Sequence, residues 1–192
     1  MANTRCDWCG TDPLYISYHD TEWGVPVRDD GLLFEFLLLE TFQAGLSWIT
    51  ILRKRENFRK AFDNFDYLRI SSYDEEKYNE LIADPGIVRN KLKIRAAVEN
   101  ALAFIRIQEE YGSFSDYIWE FVNREPLNNQ WKDMGQVPAT TPLSDRISKE
   151  LKKKGFKFVG STVVYAFMQA TGMVNDHLKN CFRHEQVSAL SR

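Results

Sequence analysis

The chain has 192 residues, with 25 Lys and Arg against 27 Asp and Glu for a formal net charge of −2. That length suits one domain with a sizeable core, or two lobes sharing one, and an apolar content of 44% is ordinary for a soluble globular protein. Taken whole, the charge balance argues against nucleic-acid binding, and three Cys with no sign of export argue against a disulfide framework.

In chain order, "MANTRCDWCG" has no apolar h-region, so it does not read as a signal peptide, and the cytoplasm is the expected compartment. The apolar run from Leu32 to Leu52 is long enough for a bilayer. It carries Glu35, Glu40 and Gln43 and is broken at Gly45-Leu46-Ser47, so it predicts a core helix, a turn and a second helix. Glu40 lies among Leu37, Leu38, Leu39 and Phe42, where an unpaired carboxylate is costly. Asp74-Glu75-Glu76 after Ser71-Ser72 predicts a short helix that Asp84-Pro85-Gly86 stops. In "KIRAAVENALAFI" one helical face collects Ile94, Ala97, Val98, Ala101, Leu102 and Ile105. "SFSDYIWEFVN" predicts another amphipathic helix, and residues 123–142, rich in Pro, Asn and Gly, a long loop between lobes. Thr141-Pro142 opens a helix that Gly155 closes, and "TVVYAFMQATG" gives a further helix stopped by Gly172. "FKFVG" has the composition of a short strand, with no second strand to pair with it.

Basic residues gather at 53–60, 89–95 and 146–157, and acids at 20–40, 74–84 and 109–125. Segregation of this kind gives a neutral protein a positive face, although each cluster alone reads equally as a solvated helix face. His177 and Cys181, four apart, would share one face of a helix. With Cys6 and His19 they make a Cys2His2 set, which suits a closed tetrahedral zinc site with no position for a catalytic water. Cys6-x2-Cys9 is a rival half-site, and chance pairing or packing of these residues stays open.

Several stretches carry a resemblance. "RCDW", "DPLYISYHDTEWG", "LFEFLLLETFQAGLSWITILRKRENFRKAF" and "KGFKFVGSTVVYAFMQATGMVNDHLKNC" closely resemble the constitutive bacterial DNA-3-methyladenine glycosylase I family, a branch of the helix-hairpin-helix glycosylases. The similarity runs from about Arg5 to Cys181. It implies an all-α, single-domain fold with a hairpin lobe over about 32–122 and a second lobe from about 1–31 and 123–185. It also implies a structural zinc on Cys6, His19, His177 and Cys181, tying the chain ends together. Cys9 departs from the family pattern. His184 falls outside the motif and goes with a flexible tail at 186–192.

The resemblance further implies that Glu40, Tyr18 and Trp48 line a pocket for a flipped base, with Trp8 and Tyr15 nearby. Gln43, three residues on from Glu40, would add a polar contact. An electron-rich pocket suits a cationic methylated purine, and a buried carboxylate suits its donor edge. Trp23 and Trp119 are expected to pack in the core. "DPGIVRNKLKI" looks like a degenerate superfamily hairpin: Gly86 would allow the tight turn and its amide neighbourhood would hold a phosphate, with Arg89, Lys91 and Lys93 adding charge. Leu46 is a candidate wedge for the gap in the base stack, or a core residue. The implied activity is monofunctional hydrolysis of 3-methyladenine from double-stranded alkylated DNA, releasing the free base, by a monomer with no membrane partner. Competing readings are a zinc-stabilised binding module without catalysis, and a zinc hydrolase using His19 and Glu22. A zinc deaminase lacks its H-x-E and P-C-x-x-C signatures.

Overall fold

The computed structural model describes residues 4–190. Helices dominate, and local chemistry sets most of their starts. Asp12 accepts from the Leu14 and Tyr15 amides to open α1 (Pro13–Thr21), with Pro13 in its first turn. Asp29 accepts from the Leu32 amide to open α2 (Asp30–Gln43). The turn at 44–47 leads into α3 (Trp48–Ala61), so the long apolar run forms the two helices expected of it. The chain continues through α4 (Tyr67–Ile70), α5 (Glu75–Ala83, capped by Asp74), α6 (Lys91–Tyr111, capped by Asn90) and α7 (Phe114–Trp119). A capping box of Thr141 and Ser144 starts α8 (Pro142–Lys153), followed by α9 (Ser161–Ala170) and α10 (Phe182–Ala189).

α2 is the axis of the molecule. Residues Leu33 through Phe42 are all buried, the pattern of a helix enclosed on every side. It packs against α3, α6, α7 and α9, so one continuous apolar core runs through both halves of the chain. No helix among the described residues is long and apolar enough to cross a membrane.

Four expectations need correction. The buried face of α6 includes Ile94, Ala97 and Ala101 but continues through Phe104 and Ile107, while Leu102 is exposed. A helix flanked on two sides buries a broader stripe than one run of three-and-one spacings picks out. "FKFVG" forms no strand. It is the hairpin between α8 and α9, with Phe156 and Val159 buried and Phe158 exposed at a positive φ of 56°. The strand pairing lies elsewhere: β1 (Leu127–Asn128), inside the stretch expected to be loop, runs parallel to β2 (Val174–Asn175) after α9. The supposed tail is folded through Ala189. α10 buries His184 and Val187, and Ser188 bonds to Asn128. Residues 191–192 of that tail lie outside the described residues.

The chain ends meet. The Phe182 amide donates to the Thr4 carbonyl at 3.0 Å. The segment after α1 is stitched to the end of α9 by Gly24 N to Gln169 O and Val27 N to Thr171 O. Gly172 permits that approach. It has φ +69°, and a Cβ there would lie 2.5 Å from backbone atoms of Val25 and Pro26. Gly172→Ala should therefore cost about 2–4 kcal/mol, from left-handed strain and overpacking together. Gly10→Ala, at φ +55° with nothing within 4 Å, should cost only about 1 kcal/mol. Thermal unfolding of the two variants checks the difference.

Candidate active site

Two features adjoin near the point where the chain ends meet. The first is a cluster of Cys6, His19, His177 and Cys181, all buried, with one potential ligand atom each and all four atoms within 4.8 Å of one another. His19 comes from the last turn of α1. His177 and Cys181 share no helix, contrary to their spacing. They sit in the turn between β2 and α10, closed by Cys181 N to Leu178 O at 2.8 Å. Cys9 is excluded from the group, its thiol donating to the Cys6 carbonyl at 3.2 Å.

The imidazole tautomers follow from outside bonds. His177 Nε2 faces the Trp23 carbonyl at 2.9 Å, so it must carry the proton, and His19 Nδ1 lies 2.7 Å from Asp20 Oδ1. That leaves the lone pairs of His177 Nδ1 and His19 Nε2 pointing inward at two thiols. The Cys181 sulfur is 3.5 Å from His19 Nε2 and 3.6 Å from His177 Nδ1, and the Cys6 sulfur is 3.7 Å from His177 Nδ1. A tetrahedral zinc at ordinary bond lengths would set such S···N separations at about 3.6 Å. The donor set, its outer hydrogen bonds and its spacing fit that ion. Glu22 is no part of the cluster: it pairs with Arg55 at 2.6 Å, and Arg55 also holds Glu35. This removes the carboxylate that a zinc hydrolase would need.

The second feature is a cavity of about 210 Å³. Several waters' worth of space, at about 30 Å³ each, is room for one bicyclic base. Trp8, Tyr15, Tyr18, Trp23 and Trp48 form its aromatic wall, with Glu40 and Gln43 reaching in from α2. Trp8 meets Tyr15 and Trp23 edge-on at 4.9 Å, and Tyr18 lies 5.6 Å from Trp48. Trp23, expected in the core, serves both features. It is only 9% exposed, lines the cavity, and packs edge-on against His177 at 4.7 Å. Trp119 is fully buried away from the cavity, as expected.

Several polar groups of this cavity lack a partner among the described residues. Glu40 is 4% exposed and makes no hydrogen bond or ion pair among the described residues. Burial alone pushes its pKa up to about 8. Tyr18 is pushed up as well, first by burial and then by the charge of Glu40. The indole N–H groups of Trp8 and Trp48 are buried without partners. Native interiors rarely leave such groups unmatched. Gln43 is less free, since its amide nitrogen donates to the Leu46 carbonyl at 2.6 Å and holds the turn.

Met134, Val137, Ala166 and Gln169 also line the cavity. The sequence reading missed them. The first two lie in the supposed linker, where no periodicity marks them. Gln169 is fixed by Asp176, a buried carboxylate that also accepts from Tyr165, Trp131 and Asn129.

The surface residues divide. Leu46 is 39% exposed at the tip of the turn beside Gln43, so it is no core residue. Arg89 and Lys91 are exposed, with no ion-pair partner among the described residues. Lys93 is a correction: it is buried, its ammonium donating to the Phe42 and Ala44 carbonyls. The Gly86 amide itself donates to Asp84 at 2.7 Å and Asn90 accepts from the Leu92 and Lys93 amides, while the Ile87, Val88, Arg89 and Lys91 amides have no partner among the described residues. Gly86 is glycine for space, since a Cβ would lie 2.9 Å from Asp84. In the α8–α9 hairpin the Gly155, Phe156 and Lys157 amides are bonded, but α9 itself starts at Gly160 with no side-chain cap, three residues after Lys157.

Glu40 gives a stability test. Its folded carboxyl binds the proton more tightly than the unfolded one, so its contribution is full below pH 4.5 and is lost as pH rises through about 8. Wild type should therefore lose on the order of 2–4 kcal/mol relative to Glu40→Gln between about pH 5 and about pH 9. Denaturant unfolding of both proteins at the two pH values checks this.

A family model described as methyladenine glycosylase matches residues 8–184. The DNA-3-methyladenine glycosylase 1 of Escherichia coli K12 is 49% identical over 177 residues, covering 92% of this chain and 95% of that one. A crystal structure of 3-methyladenine DNA glycosylase I superposes with a TM-score of 0.91 at 50% identity, covering 93% of this chain and 98% of the other. A Staphylococcus aureus structure, described as the basis of 3-methyladenine recognition by that enzyme, gives a TM-score of 0.91 at 36% identity, with 95% and 97% covered. With nearly the whole length of both chains aligned, this chain belongs to the methyladenine glycosylase family.

Proposed function

We propose that this protein excises 3-methyladenine from alkylated double-stranded DNA by hydrolysis, leaving an abasic site. The observation that carries the reading is an unpartnered Glu40 carboxyl inside an aromatic cavity sized for one base. An extruded 3-methyladenine is a cation in DNA. Tyr18, Trp48 and Trp8 offer it ring faces, and Glu40 offers it an acceptor and a countercharge in a dry site. Tyr15 closes the outer wall.

The chemistry needs little further help. Methylation has already weakened the glycosidic bond, so the base leaves with the bonding pair and becomes neutral. Water adds to C1′ and gives up a proton. Glu40 keeps its bonds to the amino edge of the departing base. No lysine reaches into the cavity, which supports a monofunctional course. The one nearby, Lys93, is committed to two carbonyls. A binding module without catalysis would hold the same base but release none.

DNA is held by sequence-independent charge at Arg89 and Lys91 and by the free amides at the start of α9, with Leu46 entering the stack. The site is complete in one chain, which supports a monomer, working in the cytoplasm where its substrate is. Zinc on Cys6, His19, His177 and Cys181 would fasten the N-terminal segment to the turn before α10. When bound it supplies cross-linking and no reaction chemistry, because all four positions are taken by protein.

Alkylated duplex DNA incubated with the protein should release free 3-methyladenine, with the strand left intact until the abasic site is cleaved chemically. Borohydride should trap no covalent adduct. Glu40→Gln keeps the shape and one acceptor but loses the charge, which is worth about 1.5–3 kcal/mol in such a bond. Excision should slow by roughly tenfold to a hundredfold, since about 1.4 kcal/mol is a factor of ten. Binding without release would favour the binding module, and an undiminished rate in a folded Glu40→Gln protein would misplace the pocket. For the metal, Cys181→Ser should lose bound zinc and melt at lower temperature, while Cys9→Ser should keep both properties. Elemental analysis and thermal melts read the pair.

A further inference from the structure

α2 carries Glu40 at its core and ends at the mouth of the cavity, where the Leu46 amide donates to the Gln43 carbonyl at 2.7 Å and leaves the neighbouring carbonyls open. The Ala44 amide makes no bond back into the helix. The orphan carbonyls of Phe42 and Ala44 are met by one side chain from far along the sequence, the ammonium of Lys93, at 3.0 and 2.8 Å. Lys93 is only 6% exposed, and no carboxylate pairs with it. A buried ammonium without a countercharge is expensive, and a Met of similar length would fill the space. What the ammonium adds is a fixed end to α2, with its charge at the favourable pole of the helix.

That end leads directly into the turn bearing Leu46. Lys93 itself is in the first turn of α6, where its amide is held by Asn90. The segment before α6 is lashed to α3, because Lys54 donates to the Pro85 and Gly86 carbonyls at 3.1 Å. The Leu46 turn, between α2 and α3, thus has a rigid backing on its inner side. Its outer side faces solvent.

We propose that Lys93 is a positioning residue for base capture: by clamping the end of α2 it holds the turn so that Leu46 meets the duplex in a fixed pose. This rests on the glycosylase reading above. The aromatic wall that receives the base comes from other elements, since Trp8, Tyr15 and Tyr18 precede α2 in the chain, and Glu40 on α2 lies back from the clamped Phe42 and Ala44 carbonyls. Lys93 therefore acts on taking a base out of DNA and leaves the holding of a free base nearly untouched.

The test is a double-mutant cycle between Lys93→Met and Leu46→Ala, read by single-turnover excision from alkylated duplex and by binding of free 3-methyladenine through tryptophan fluorescence. Lys93→Met should slow excision by about tenfold or more while free-base affinity stays within about twofold. In the Leu46→Ala background it should cost less than about threefold further, because the two changes remove one shared function. Lys93→Gln, with one neutral donor, should show the same pattern at smaller size, and it serves if Lys93→Met does not fold. Unchanged excision, a parallel loss of free-base affinity, or full independence of the two substitutions would each overturn the role. A wild-type protein that releases no base would overturn the glycosylase reading, and this role with it.

Discussion

A carboxyl group enclosed by hydrocarbon is costly until something replaces the water it has given up. Glu40 is in that position: no cation or hydrogen-bond donor among the described residues reaches it, and burial pushes its pKa up to about 8. The fold could have relieved it. Arg55 and Arg59, on α3, both pair with the neighbouring Glu35, at 2.6 and 2.7 Å. One helix thus carries two buried carboxylates, one paired with arginines and one that, on the proposed glycosylase reading, is kept for a base arriving from outside. The rest of the arrangement shapes the aromatic walls around that carboxyl and leaves it reachable.

Enclosure depends on segments from both ends of the chain. Trp8, Tyr15, Tyr18 and Trp23 come from the first 23 residues, and they stay in place because the segment around them is fastened elsewhere. Gly172 lets the chain after α1 press against the end of α9, and the four-ligand cluster sits directly behind Trp8 and Trp23. His177 touches both roles, with one ring nitrogen facing the thiols and the other bonded to the Trp23 carbonyl. On the zinc reading the metal acts on recognition through position alone. It fixes the indole wall and never meets the base.

Much of this was legible in the sequence because it is written in local terms. Acid and polar residues at caps, the broken apolar run and the Thr141-Pro142 start fix the helices around α2, and residue types suffice to pick out two Cys and two His. Long-range partners were not legible. Lys93 reads as surface charge in a basic cluster until the carbonyls some fifty positions earlier are seen beneath it. Gly86 reads as a phosphate loop, but a neighbouring Asp takes its amide. His184 and α10 read as tail because their packing partners, Asn129 and Asn128, lie in an apparent linker. The uncapped start of α9 gives no local mark either, because "GFKFVG" holds no Pro, Asn or Asp to announce it.

The central claim is that Glu40 waits as an acid and works as an anion. Infrared difference spectra of free and 3-methyladenine-bound protein near neutral pH address it directly, because the carbonyl band of a protonated carboxyl and the bands of a carboxylate are distinct. The free base enters neutral and takes the Glu40 proton onto a ring nitrogen, so binding should remove one protonated-carboxyl band and add one carboxylate signal, and both changes should vanish in Glu40→Gln. A base-bound spectrum with no carboxyl-to-carboxylate exchange, or one that persists in Glu40→Gln, would contradict it.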